Sequence, residues 1–270
     1  MHYFFRARSR ASAAPARATS PSVILRNSLL ELLLALVLLF GVTTIVRWVV
    51  GPSPISSAIP PVEVQLLIVG VAVGVLLWGL IVSPVGRVSG GHINPAITLT
   101  MWRFRVFPGV SVVPYILAQL AGSVLGVLVA RSVWGGVIDN PPVSDAALRP
   151  APGWSSLALF PAEAASMAVI VLLVGWFLSV PRLAPLVPGV VGLLVGLGIT
   201  LLGPITGGCI NPARQFGPAL VSGHLDFLWI YLLAPMVGAL LAAALHQVLA
   251  CRAVLTHRLC GTRADGSPLQ

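Results

Sequence analysis

Charge is scarce in this chain. Only 9% of its 270 residues are Asp, Glu, Lys or Arg, seven of them are acidic, and lysine is missing altogether, so all sixteen cations are arginine. A soluble domain carries roughly a quarter charged residues. With 57% hydrophobic residues and a mean hydropathy of +0.98, one water-facing domain would expose very large apolar patches. A bundle of ~20-residue membrane spans uses the surplus directly. The shortage of polar residues also excludes a disordered chain, and the lack of a G-X-Y repeat excludes a collagen-like one. The sequence pI near 11.2 therefore points to a bilayer and not to a nucleic acid.

Cysteine is equally sparse. Cys209, Cys251 and Cys260 are too few and too scattered for a disulfide framework or a metal cluster, and no metal or cofactor is expected. The HExxH, GxGxxG, P-loop and GxSxG patterns are missing as well, so nothing local supports catalysis. The chain reads as no enzyme.

What is present is a series of apolar runs. Charge-poor stretches lie between Arg26 and Arg47, and over 64–86, 106–130, 164–180, 183–203 and 227–250, which makes six spans and puts both tails on one side. That side holds Arg6, Arg8, Arg10, Arg17 and Arg26, then Arg87, Arg103, Arg105 and Arg182, and finally Arg252, Arg258 and Arg263. Arg47, Arg131, Arg149 and Arg214 fall outside it, with Glu63, Asp139, Asp145 and Asp226. By the positive-inside rule both tails, 1–26 and 251–270, are cytoplasmic, in a plasma membrane or bacterial inner membrane. The Arg- and Ala-rich start also fits an organellar targeting segment.

The Pro- and Gly-rich connection over 134–158 reads as an extracellular linker between two halves, 27–133 and 159–250. Tyr115-Ile-Leu-Ala-Gln-Leu-Ala-Gly122 is echoed by Tyr231-Leu-Leu-Ala-Pro-Met-Val-Gly238, and Glu31 and Glu163 open the first span of each half. Three spans per half reverse the second half in the membrane, the inverted-repeat plan. In the same register, Asn94-Pro95-Ala96 and Asn211-Pro212-Ala213 lie 117 residues apart. Asn caps orphan amides and Pro has no N–H to waste at the first helical position. The plain reading is two capped helices in loops. Each motif, however, is followed by only about ten helix-compatible residues, ~15 Å of helix. The spacing predicts two re-entrant half-helices, over 94–104 and 211–221, that meet end to end as a seventh, broken span. Irregular backbone at that depth is tolerated only inside protein or along a water-filled path.

Paired Asn-Pro-Ala motifs in repeated halves resemble the aquaporin family, or major intrinsic proteins, from Glu31 to about Ala250. The resemblance implies an all-α membrane fold of six spans and two half-helices, a homotetramer, and in each protomer a pore for water or small neutral solutes. Two half-helices aim about half a positive charge each at the midplane and repel hydronium. If both Asn side chains face the lumen, their amides take up the oxygen of a passing water, which interrupts a proton relay.

Arg214 stands alone in the apolar stretch from Leu183 to Leu225. It either snorkels to the outer interface or, as the resemblance implies, repels cations and donates to solutes at an extracellular constriction. The resemblance completes that constriction with Ile199, Gly208 and either Gly74 or its neighbour Val73. It also implies that Glu31 and Glu163 support the half-helix loops and that His92 lies near the cytoplasmic mouth. Cys209 is expected to miss the lumen. With no aromatic ring or imidazole in the filter, glycerol, boric acid and arsenous acid join water as candidate solutes, with nodulin-like members or glycerol facilitators as the nearest pattern. A secondary transporter and a closed-pore junction protein remain alternatives.

Overall fold

The structure, a computed structural model, describes residues 20–250 and 252–269. Arg6, Arg8, Arg10, Arg17 and Cys251 lie outside the described residues. Among the described residues, six helices are long and apolar enough to cross a membrane: α1 (Pro21–Val49), α2 (Val62–Val82), α4 (Val112–Trp134), α5 (Ser156–Leu178), α6 (Val187–Leu202) and α8 (Leu228–Leu249). The two half-helices are α3 (Pro95–Arg103) and α7 (Pro212–Ser222), about 14 and 17 Å long at 1.5 Å per residue. Both start at the centre of the bundle and run outward. Arg103, at the end of α3, bonds Gln247 near the end of α8, whereas the carbonyl of Val221 in α7 accepts from Arg131 near the end of α4.

Two boundaries differ from the sequence reading. Residues 21–26, assigned to the tail, are helical, because Pro21 sits at the first position of α1 and the turns after it hydrogen-bond without interruption. Residues 252–269, also assigned to a tail, fold back on the bundle, with Val254, Leu259 and Cys260 buried.

Packing repeats with the sequence. Within the halves, α1 packs chiefly on α4 and α5 on α8. Across them, α4 lies on α7 and α8 on α3, while α2 meets its counterpart α6. The α2–α6 crossing depends on small residues. A methyl at Gly74 would sit 2.5 Å from the carbonyl oxygen of Gly192, and one at Gly70 only 2.4 Å from that of Gly196. Such small-x-x-x-small surfaces let backbones approach where no hydrophobic drive brings helices together in lipid.

The irregular loops before α3 and α7 are each held by one buried carboxylate. Glu31, fully enclosed, accepts through Oε1 from Ser89 Oγ at 2.7 Å and His92 N at 3.1 Å, and through Oε2 from Ile93 N at 2.7 Å and Gln119 Nε2 at 2.8 Å. Glu163, equally enclosed, accepts from Thr206 Oγ1 at 2.8 Å, Cys209 N at 3.1 Å and Ile210 N at 2.9 Å. Tyr115 and Tyr231 donate to the carbonyls of Ser89 and Thr206. The clamps correspond residue for residue except at Gln119, whose counterpart is Pro235. Ile93 and Ile210 are both left-handed, with φ of 53° and 54°, which costs a β-branched residue ~1–3 kcal/mol. The carboxylates offset this by binding the amides of those same residues.

Two outcomes follow from this packing. Gly192→Val should wedge α2 from α6 and sharply lower the yield of monodisperse protein in size-exclusion chromatography, whereas Gly189→Val, with open space at its Cβ, should leave it unchanged. Glu163→Gln exchanges an ionised acceptor for an amide with two surplus donors and loses charge-assisted bonds worth about 1.5–3 kcal/mol each. Its melting temperature in detergent should fall. A normal melting temperature with abolished flux would assign Glu163 to transport instead.

Candidate pore

Where the half-helices meet, each Asn makes two bonds with one amide group. Asn94 Oδ1 accepts from Ala96 N at 2.9 Å, capping α3, while its Nδ2 donates across the seam to the carbonyl of Ile210 at 3.1 Å. Asn211 Oδ1 caps α7 through Ala213 N at 3.0 Å, and its Nδ2 donates back to the carbonyl of Ile93, also at 3.0 Å. Pro95 and Pro212 occupy the first helical positions. One hydrogen of each Nδ2 is used across the seam, and the second is left for the cavity that both side chains line.

That cavity measures about 40 Å³, space for roughly three waters at the 10–15 Å³ that one water requires. Its walls are aliphatic, from Leu38 and Leu77 to Ile170 and Val195, so its polar groups stand out: the two Asn side chains, Arg214, His92 and the backbone of 208–210. A second, outer cavity of about 160 Å³ shares Val42, Val73, Ile199 and Arg214 with it. These four residues mark the passage between the two.

The structure puts the expected filter residues in different positions. Val73 borders both cavities, but Gly74 lies on the far side of α2, against the backbone of Gly192, so Gly74 is withdrawn from the filter. Ile199 and Arg214 line the passage. Gly208 lines the inner cavity with backbone alone. Its φ is +59° and a methyl there would strike the carbonyl oxygen of Gly198 at 2.6 Å, so glycine serves the close approach to α6 and leaves no side-chain direction into the lumen. Cys209 turns its thiol to the carbonyl of Asn211 and packs with Leu159, Ile230 and Tyr231.

Arg214 does not snorkel. Its Nη1 donates to the carbonyl of Ala146 at 2.6 Å, a residue of the connection read from sequence as a linker. That connection is built into the mouth on the side of Arg214. Arg131 binds the fully buried Asp145 by two bonds, 2.8 Å from Nε and 2.6 Å from Nη2, and the Gln215 amide pairs with both backbone groups of Leu148 at 2.9 and 3.0 Å. The strap holds Ser144, Asp145 and Ala146 in left-handed conformations with the Ala146 carbonyl toward Arg214. Composition marked this segment as loop, and only the nearby Arg131, Asp139 and Asp145 signalled anchorage. Val42 was likewise missed, although it lies eleven residues after Glu31, about three helical turns along the same face of α1.

His92 is buried on the face that carries both described ends of the chain. Its Nε2 lies 3.1 Å from the carbonyl of His257, which can only accept, so Nε2 carries the proton and Nδ1 accepts from Thr98 Oγ1 at 3.2 Å. Phe107 and Tyr115 pack against the imidazole.

Comparison with known proteins agrees with this geometry. The family described as "Major intrinsic protein" matches residues 11–246. A probable aquaporin AqpM of Archaeoglobus fulgidus is 38% identical over 67% of this chain and 76% of its own. A probable aquaporin NIP7-1 of Arabidopsis thaliana is 32% identical over 83% and 76%, and a propanediol uptake facilitator PduF of Citrobacter freundii 31% over 64% and 78%. The X-ray structure of the aquaglyceroporin from Plasmodium falciparum shares the fold with a TM-score of 0.67 at 22% identity, covering 84% of this chain and 97% of that one. With its paired half-helices, carboxylate clamps and small aliphatic-walled cavity, the chain belongs to the major intrinsic protein family.

Proposed function

We propose that the chain is a passive transmembrane pore for water and small neutral hydroxylated solutes, glycerol, boric acid and arsenous acid among them, and that it excludes protons and ions. The observation that carries this reading is the passage itself, where one guanidinium faces three aliphatic side chains, Val42, Val73 and Ile199. A solute with hydroxyls on one edge finds donors on Arg214, and its less polar side meets valine and isoleucine at small desolvation cost. An ion finds no ring of carbonyls or carboxylates to replace its hydration shell. The names of the relatives, aquaporins and a propanediol facilitator, fit a pore of this kind.

Proton exclusion rests on the seam. Two helix N-termini each carry about half a positive charge toward one point, and the free hydrogens of Asn94 and Asn211 orient the water there by its oxygen. Arg214 adds a full charge further out. Coupled transport is disfavoured because Glu31 and Glu163 are saturated by four and three donors, which leaves neither carboxylate free to carry a coupling ion. The family is one of channels and not of enzymes.

The distribution of arginine supports cytoplasmic termini in a plasma or bacterial inner membrane. The exposed apolar faces of α2 and α6, with Leu67, Val71, Leu193 and Leu197 outward, suit lipid or neighbouring protomers of a homotetramer.

In proteoliposomes, stopped-flow light scattering should show water, glycerol and boric acid crossing faster than through protein-free vesicles, without saturation and independently of proton or sodium gradients. Fast water flux with the larger solutes at background would mean that Val42, Val73 and Ile199 close the passage to all but water. Arg214→Val should keep water flux within about twofold and raise proton leakage, measured with an entrapped pH-sensitive dye, at least severalfold. Unchanged leakage would remove Arg214 from the barrier.

A further inference from the structure

The segment after α8 is not part of the repeat, yet it reaches the pore. Leu259, only 1% exposed, is one of the residues lining the inner cavity, at its end beside His92. Backbone bonds hold it in place. Leu259 N donates to the carbonyl of Gly90 at 3.0 Å, two residues before His92, and Leu255 N donates to the carbonyl of Leu178 at the end of α5 at 3.1 Å. The carbonyl of His257 accepts from His92 Nε2. The His257 ring packs 5.3 Å from Phe107 and 5.6 Å from His92.

The segment is also shaped to sit there. Thr256 Oγ1 donates to the carbonyl of Thr262 at 2.8 Å and accepts from Arg258 N at 3.1 Å, while the Arg258 guanidinium ties the carbonyls of Arg263 and Ala264. Gly261, at φ +71°, presses on the turn before α6, where a methyl would lie 2.4 Å from the carbonyl of Ala184. The result is a compact hairpin from which one side chain, Leu259, reaches the cavity. Hydrophilic tails have no physical reason to bury a leucine to 1% exposure beside a polar histidine at a pore mouth. A stopper has one, since a branched apolar side chain in a single-file path displaces water and offers it no hydrogen bond.

We propose that residues 252–269 form a built-in stopper of the pore mouth on the termini side, in which Leu259 is the obstructing residue and the backbone contacts to Gly90, Leu178 and His92 are its latch. The proposal rests on the pore reading above. It makes the conducting state one in which the hairpin has left its seat, and flux becomes a property of the tail as well as of the filter. The latch is made almost entirely of backbone groups, so it depends on the shape of the hairpin more than on the identity of its exposed side chains.

Three variants test it in proteoliposomes by stopped-flow water permeability per protein: deletion of 252–270, Leu259→Ala, and Gly261→Val. Deletion removes the stopper, Leu259→Ala shortens it in place, and Gly261→Val unseats the hairpin from outside the lumen. Size-exclusion profiles and helical circular dichroism guard against misfolding, and the two point variants leave every span untouched. Deletion should raise permeability at least threefold over the full chain, with both point variants rising in the same direction. Equal permeability in the full chain and a correctly folded deletion variant would overturn the stopper and leave the pore reading standing. Background flux in the full chain and in all three folded variants would overturn both. If the deletion variant misfolds, unchanged permeability in both point variants overturns the proposal.

Discussion

Everything in this structure depends on satisfying backbone polar groups where no water is available to do so. In the hydrocarbon interior an unpaired amide or carbonyl costs several kcal/mol, and a broken span contains a run of them at mid-depth. The loops before Asn94 and Asn211 survive there because a carboxylate from a neighbouring span reaches into each and accepts two consecutive amides. That arrangement fixes Ile93 and Ile210 in left-handed turns, and the turns bring their carbonyls within reach of the opposing Asn side chains. The lumen's polar groups are thus a by-product of holding the loops. Once the amides of 92–93 and 209–210 belong to Glu31 and Glu163, the remaining hydrogens of Asn94 and Asn211 have only the cavity to address.

The two halves are alike in this scaffold but unlike at their mouths. On one side the connection over 134–158 is fastened by a half-exposed arginine on a buried aspartate and by an amide that imitates a strand partner, and it hands a carbonyl to Arg214. On the other side a hairpin from the chain's end covers His92. The proposed filter and the proposed stopper therefore sit at opposite ends of one path, supplied by segments that are not repeated, while the repeated segments supply the seam to which proton exclusion is ascribed. In that division the symmetric part performs what every member of such a fold requires, and the asymmetric parts individualise it.

The fold was largely legible because its signals are periodic. Six apolar runs, the repeat of Tyr115 and Tyr231, and two Asn-Pro-Ala motifs too close to the next polar stretch for a full span together dictate the bundle. Individual pore residues were legible only near an anchor. Ile199 and Arg214 could be counted from Asn211, and both line the passage. Gly74 was counted over twenty residues from Asn94, and an error of one residue turns a side chain by 100° on a helix, from the lumen to the α6 interface where Val73 and Gly74 part company. Val42 had no motif beside it. Least legible were the strap at Asp145–Leu148 and the hairpin at 252–269, because most of their tertiary hydrogen bonds have a backbone group on at least one side, and a backbone group leaves almost no trace in residue type.

The bonds that cross the seam carry one further consequence. Asn94 belongs to the first half and its acceptor to the second, and Asn211 reverses the arrangement, so the halves are stitched together at the very point where a transporter must let them part. Alternating access by rocking would break both stitches at once, in a cavity with little water to replace them. The protein is thereby committed to a path that is continuous in principle and never handed from one side to the other. Its throughput is governed by diffusion along that path, and it can dissipate a gradient but has no stroke with which to build one.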